Sequence, residues 1–266
     1  MKTTLLFLSV FLSASFFGQQ MTYVPDDNFE QRLISFGYDD VMDNYVLTEN
    51  ISSVTQLSMP GMTSEGSYII NDLTGIQDFI ALTTLNIDGN DLTYLDLSNN
   101  VNLEFLDIIG NNQLTTLKLD NNPNLGWLHA SYVPLQELDL SSCSSLYDSF
   151  LWGCNLSCLN VKNGNNENLF LEIMENPNLY CVEVDDVLQA EEFVENLEWE
   201  ADAQISYSED CNNDCSSSTV DLNELSTSKN IIQILDLMGR ETSFKPNTPL
   251  IYVYDDGSIE KVFTIE

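Results

Sequence analysis

A single histidine, His129, sets the ceiling on the acid–base chemistry this chain can perform. Any Ser-His-Asp or Cys-His arrangement has to pass through that one residue. The sequence holds no GxSxG, HExxH, phosphate-cradling glycine loop or paired CxxC motif. Cys211 and Cys215 are spaced CxxxC without partner ligands, which does not make a zinc site. The cluster Asp39, Asp40, Asp43 and Asn44 is a weak cation candidate. It lacks the glycine and terminal glutamate of an EF-hand loop, so solvated loop carboxylates are the expectation. With 42 acidic residues, paired carboxylates carry almost no information. No catalytic set, metal or cofactor is expected.

Residues suited to binding are better represented. Phe105, Ile109, Trp127, Phe150 and Trp152 occupy one phase of a repeating pattern, with His129 beside Trp127. The pattern runs LTTLNIDGNDLTYLDLSNNVN from Leu82, LEFLDIIGNNQLTTLKLDNNPN from Leu103, LGWLHASYVPLQELDLSSCSS from Leu125 and LYDSFLWGCNLSCLN from Leu146. The unit is 21 or 22 residues, and a second leucine phase falls at Leu92, Leu114, Leu135 and Leu156. A period of this length marks one turn of a leucine-rich solenoid, which cannot bury its apolar residues without neighbours.

In LxxLxL strands the leucines point inward and the residues between them point to solvent. The first phase therefore presents Thr84, Asn86 and Asp88; Phe105, Asp107 and Ile109; Trp127, His129 and Ser131; and Asp148, Phe150 and Trp152. The second phase presents mostly small or polar residues, from Tyr94, Asp96 and Ser98 to Cys158, Asn160 and Lys162. Strands lie about 4.8 Å apart, so the aromatics of the first phase form one contiguous patch. Large exposed apolar patches mark interaction sites. The first phase also fits LxxLxLxxN/CxL better, at Asn90, Asn111 and Cys154, which places it on the concave face. The competing reading is that a cap, a loop or a neighbouring chain covers these rings.

The expected fold is mainly β with short helices, a solenoid of five to six turns capped at both ends. Lys2 followed by an apolar stretch over 5–17 reads as a signal peptide over 1–18. Residues 19–81 read as an N-terminal cap with one irregular repeat, and 82–178 as the repeats proper. Residues 179–215 read as the C-terminal cap, 216–229 as a linker, and 230–266 as a small sandwich-like β-tail of three strands. Helix is expected over 27–36, capped by Asp26 or Asp27 and ended by Gly37, with shorter pieces over 74–81 and 187–197. Ile51, Val54, Leu57 and Met59 sit at strand-like intervals. No later run approaches 18 apolar residues, so no membrane span is expected. Six cysteines in an exported chain permit disulfides. Cys181 and Cys211, which bracket the cap, are the first choice for a bridge, and Cys154 reads as a buried thiol.

Net charge is −34. Between residues 19 and 228 the only lysines and arginines are Arg32, Lys118 and Lys162, whereas the last 38 residues hold four. Such an acidic body excludes nucleic acid as a partner, because phosphate binding needs clustered Lys and Arg.

The units LTTLNIDGNDLTYLDLSNN and their successors resemble the repeats of internalin-type surface proteins, most closely the J-type internalins. That resemblance implies a curved β-solenoid of the cell-surface adhesion kind. The tail IIQILDLMGRETSFKPNTPLIYVYDDGSIEKVFTIE is similar to the C-terminal sorting domain of type IX secretion substrates. The matching positions are Gly239 and Arg240, Pro249, Asp256 and Gly257, and Lys261. This second resemblance implies handling by the type IX machinery, export to the outer surface of a Gram-negative cell, and removal of the tail. The combined expectation is a secreted or surface-held, non-enzymatic binding protein with a protein or glycan ligand. The alternatives are a glycan-acting or other hydrolytic surface enzyme, and a structural surface-layer or matrix protein.

Overall fold

The computed structural model describes residues 20–63, 66–196 and 198–211, residues 240 and 242, and three strands beyond 230. The expected signal peptide, residues 212–215 and the linker lie outside the described residues. The chain separates into two compact units, Met1–Ser217 and Ser218–Glu266.

The first unit is a β-solenoid of about six turns. One wall is a parallel seven-stranded sheet made of Gln56–Ser58, Thr84–Asn86, Phe105–Asp107, Trp127–His129, Asp148–Phe150, Phe170–Ile173 and Trp199–Ala201. Its strands pair in register, so one inward column runs Leu57, Leu85, Leu106, Leu128, Ser149, Leu171 and Trp199. The opposite wall is built by the second leucine phase. Tyr94–Asp96 pairs with Thr116–Lys118, and Glu137–Asp139, Cys158–Asn160, Cys181–Glu183 and Ser206–Ser208 form a four-stranded sheet. Leu95 and Leu117, then Leu138, Leu159, Val182 and Tyr207, form its inward columns. Two leucine phases per unit thus make two facing walls around one continuous apolar core.

The turns between walls leave backbone carbonyls inside the molecule, where each needs a donor. Buried asparagines supply them. Asn90 Nδ2 donates to the carbonyls of Met59 and Ile87, Asn111 to those of Ile87 and Ile108, and Asn176 to those of Leu151 and Ile173. Cys154 takes the same place in its turn, with Sγ 3.0 Å from the Ala130 carbonyl oxygen. A second ladder holds the other corner, where Asn100 donates to Ile76 and Phe79, and Asn122 to Leu97 and Asn100. One residue before the first ladder the chain turns left-handed at Gly89, Gly110 and Gly153, but also at Tyr132 and Glu175, where a side chain occupies the glycine-favoured region.

At the N-terminal end the helix Asp27–Phe36 is capped by Asp26, whose Oδ1 accepts from the Asn28 and Phe29 amides at 3.0 Å. Asp26 Oδ2 also accepts from the Asn71 and Asp72 amides, tying the cap to the turn before the first full repeat. Gly37, at φ 78°, ends the helix. Ile51 lies in a short helix, Thr48–Ile51, rather than in a strand. The strand of that region is Gln56–Ser58, which carries Leu57 into the core. The 3₁₀ turn Ile76–Asp78 falls within the expected 74–81 piece, and the helix Val187–Glu195 within 187–197. Residue 197 itself lies outside the described residues.

Residues 179–211 also extend the solenoid: they contribute Cys181–Glu183 and Ser206–Ser208 to one wall and Trp199–Ala201 to the other. The buried Trp199 ends the core, its indole Nε1–H donating to the Leu169 carbonyl at 2.7 Å. Among the described residues, no helix is long and apolar enough to cross a membrane.

The second unit contains an antiparallel sheet of Ile231–Asp236, Leu250–Tyr254 and Ile259–Val262 in that order. A second sheet, which a sandwich requires, is not among the described residues. Of the sorting-motif positions, Arg240 is exposed and Lys261 lies in the last strand. Gly239, Pro249, Asp256 and Gly257 lie outside the described residues.

Candidate ligand-binding face

The outward positions of the seven-stranded sheet flank each buried residue of the inward column. Phe105 and Asp107 flank Leu106, Trp127 and His129 flank Leu128, Asp148 and Phe150 flank Ser149, and Phe170 and Glu172 flank Leu171. Parallel pairing sets Trp127 beside Phe105 on one side and Asp148 on the other, and His129 between Asp107 and Phe150. At this strand spacing, rings standing on the sheet meet those of the next turn. Phe105 and Trp127 lie stacked, with centroids 4.0 Å apart and planes within 3°. Trp127 meets His129 edge-on at 5.4 Å and Phe150 at 5.8 Å, and Phe150 continues to Phe170 at 6.0 Å. The result is a half-buried ring ladder across four consecutive turns.

The structure therefore brings Phe105, Trp127, His129 and Phe150 together. Ile109 and Trp152 are half-buried too, but they sit in the turns past their strands and join no ring pair. Trp152 keeps its indole Nε1–H buried and without a hydrogen-bond partner. Tyr132, held at φ 62°, is exposed and lays its ring over Gly153, where a Cβ would come within 3.0 Å of it. Ser131, expected to face solvent, is buried. Phe170 is the member that sequence reasoning missed. Its signal was present in LFLEIMEN, which keeps the inward Leu171 and Ile173 and the ladder residue Asn176.

The ladder is bordered by carboxylates. Asp107 Oδ1 lies 3.6 Å from His129 Nδ1, an ion pair when the imidazole is protonated, with 27% of the His129 side chain and 15% of the Asp107 side chain accessible. Asp148 stands between Trp127 and Phe170, its Oδ1 buried without a hydrogen-bond partner, and burial pushes its carboxyl above the usual range. Glu172 is raised by burial and by Glu200, its in-register neighbour, with His129 pulling the other way.

The remaining candidates are placed as follows. Cys181 and Cys211 form a disulfide with Cα atoms 5.9 Å apart. Cys143 and Cys154 are buried free thiols, and burial pushes both up to about 12. Cys158, expected to face solvent, is buried and disulfide-bonded. Asp39, Asp40 and Asp43 line a shallow cavity of about 270 Å³ on the N-terminal cap, together with the exposed Met21, Val41 and Tyr45. No group of three or more His, Cys, Asp or Glu side chains suited to a metal occurs among the described residues.

No family model matches the chain, and no curated protein sequence matches it. Among the solved structures similar to it are two from Listeria monocytogenes. One is the functional domain of InlJ, described as including a cysteine ladder, at 24% identity and a TM-score of 0.36. The other is the internalin InlF, at 20% identity and a TM-score of 0.35. Each alignment covers 62% of this chain, but only 38% of the InlJ chain and 52% of the InlF chain.

Proposed function

We propose that this chain is a non-enzymatic recognition protein of the cell exterior that captures a protein or glycan ligand on the Phe105–Trp127–Phe150–Phe170 face. The observation that carries this reading is the ring ladder itself. Cross-strand ring pairs lend a sheet some stability, but an unbroken row of four large half-buried rings at outward positions is also the composition of an interface hot spot. The opposite wall, built on the same repeat, carries a lone ring, Tyr94, with Asp96, Thr116, Lys118, Glu137, Asp139 and Asn160 at its other outward positions over these four turns.

Arrays of glycans and of proteins probed with the chain lacking its signal peptide test the reading. Trp127→Ala is expected to weaken capture of any ligand so found by about 2 kcal/mol, roughly 30-fold. The sequence alone suggests a stability cost below about 1 kcal/mol for an outward residue. The stack on Phe105 raises that to about 1–2 kcal/mol, since aromatic pairs add about 0.5–1.5 kcal/mol beyond area burial. A variant that melts like the parent and binds like the parent would remove the face from the function.

The tail supports a matching route to the surface. Its three antiparallel strands and the residues similar to type IX sorting domains fit a segment read by an export machinery. Deleting 230–266 is expected to leave a folded solenoid trapped in the periplasm. Fusing the same segment to a signal-bearing reporter is expected to send the reporter outward. Surface exposure of the truncated chain would refute this route.

A further inference from the structure

Three carboxylates beside the ring ladder, Asp148, Glu172 and Glu200, have no salt bridge among the described residues. Glu172 and Glu200 lie directly opposite in adjacent strands, and Asp148 stands one strand away beside Phe170. Like charges facing each other across a pair of strands destabilise a sheet, so folding does not account for this arrangement. At the N-terminal end of the sheet the same two outward lanes carry only neutral residues, Gln56, Ser58, Thr84 and Asn86, before Asp107 and His129 enter. Every cation of the described solenoid is engaged elsewhere. Arg32 lies over the Phe36 and Tyr68 rings and donates to the Ser58 carbonyl. Lys118 is on the opposite wall near Asp96, and Lys162 donates to the Glu209 carbonyl. His129 is matched to Asp107. Of the carboxylates on the face, Asp107 has His129 within ion-pair distance, a charged partner when the imidazole is protonated. Glu172 feels that imidazole only at longer range, and no Lys or Arg of the described solenoid pairs with Asp148, Glu172 or Glu200.

We infer that the ligand of this face is a cationic polypeptide segment, which seats apolar side chains on Phe105, Trp127 and Phe150 and places Lys or Arg against Asp148, Glu172 and Glu200. This rests on the proposal that the ring ladder is the binding face. The charge complementarity selects the occupant. A neutral glycan would leave the Glu172–Glu200 repulsion in place, an anionic one would add to it, and a basic segment removes it. The distance from the Phe105 strand to the Glu200 strand is four strand spacings, about 19 Å. An extended peptide covers that in about six residues.

The test titrates the full chain without its signal peptide with labelled hexalysine, hexaglutamate and a neutral hexasaccharide, following tryptophan emission and label anisotropy. One triple variant carries Asp148→Asn, Glu172→Gln and Glu200→Gln. A control triple, Glu191→Gln, Glu192→Gln and Glu195→Gln, removes the same charge from the exposed side of the Val187–Glu195 helix. Hexalysine affinity is expected to fall at least 10-fold in the first triple and less than 2-fold in the control. The melting temperature of the first triple is expected to hold or rise as repulsion is removed. Equal losses in both triples would overturn the inference, because the attraction would then be that of the whole acidic body. Hexasaccharide binding that Trp127→Ala abolishes and the first triple leaves intact would also overturn it, while upholding the face as a binding surface. Tryptophan emission unmoved by every probe, with hexalysine bound equally by Trp127→Ala and the parent, would sink both.

Discussion

Leu128→Ala is expected to cost about 3–5 kcal/mol of unfolding free energy, the upper part of the range for buried leucines. Leu128 is fully buried, and its in-register neighbours are Leu106 and Ser149. On the Leu106 side the wall is already packed. On the other side Ser149 fills less volume than the leucines of the column and leaves its hydroxyl buried without a hydrogen-bond partner. A cavity opened there borders a polar group that an isolated site does not satisfy, so collapse around it is unfavourable. The solenoid adds a second reason. Each turn is stabilised by contact with its neighbours alone, so a defect in a middle turn uncouples the two halves. Urea unfolding followed by circular dichroism checks this. The midpoint should fall sharply, and the transition should broaden or split if the halves separate. Trp127→Ala, one residue away but outward, should lose about 1–2 kcal/mol under the same conditions. Equal losses in the two variants would mean that the inside–outside alternation at this strand is wrong.

Replacing Cys181 and Cys211 together by serine is expected to cost about 3.5 kcal/mol, the loop-closure value for a 30-residue separation. The bridge closes the segment that holds the Val187–Glu195 helix and the last strand of each wall. The loss should therefore be local. Hydrogen exchange should show protection falling over 181–211, including the strand of Trp199, while the strands from Thr84 to Phe150 keep theirs. Native reduction followed by alkylation should label Cys181 and Cys211 and spare Cys143 and Cys154. Those two thiols are buried and held up at about 12, which removes the reactive thiolate near neutral pH. If protection fell evenly along the whole solenoid, the bridge would be stapling the entire fold rather than its end.

Much of the fold was legible because the repeat makes each local decision many times. The spacing from Leu82 to Leu156 has a single solution in which every leucine is inside, and the register of both walls follows from it. The departures occur where the repeat is broken by short irregular pieces. Ile51 was misread because a four-residue helix and a strand share its apolar spacing, and only packing decides between them. Phe170 was missed because the 3₁₀ turn Asn166–Asn168 interrupts the period just before it. At the face, residue type and lane could be read in advance, but partnership could not. The 21- and 22-residue units bring Trp127 beside Phe105 rather than beside Ile109 or Trp152, and that is a consequence of in-register pairing.

What the amino-acid sequence determined by itself was the periodicity, the two inward leucine phases, a helix that starts at an aspartate cap, Asp26 or Asp27, and ends at Gly37, and the acidity of the body. Each of these depends on residues close along the chain or on composition. Tertiary structure alone decided that Asp107 pairs with His129, that Glu172 faces Glu200, and that Asp148 lies among rings without a counter-ion. These relations join residues about one turn apart. They exist only once the walls have stacked, because an interaction between charges depends on distance and on the water removed from between them.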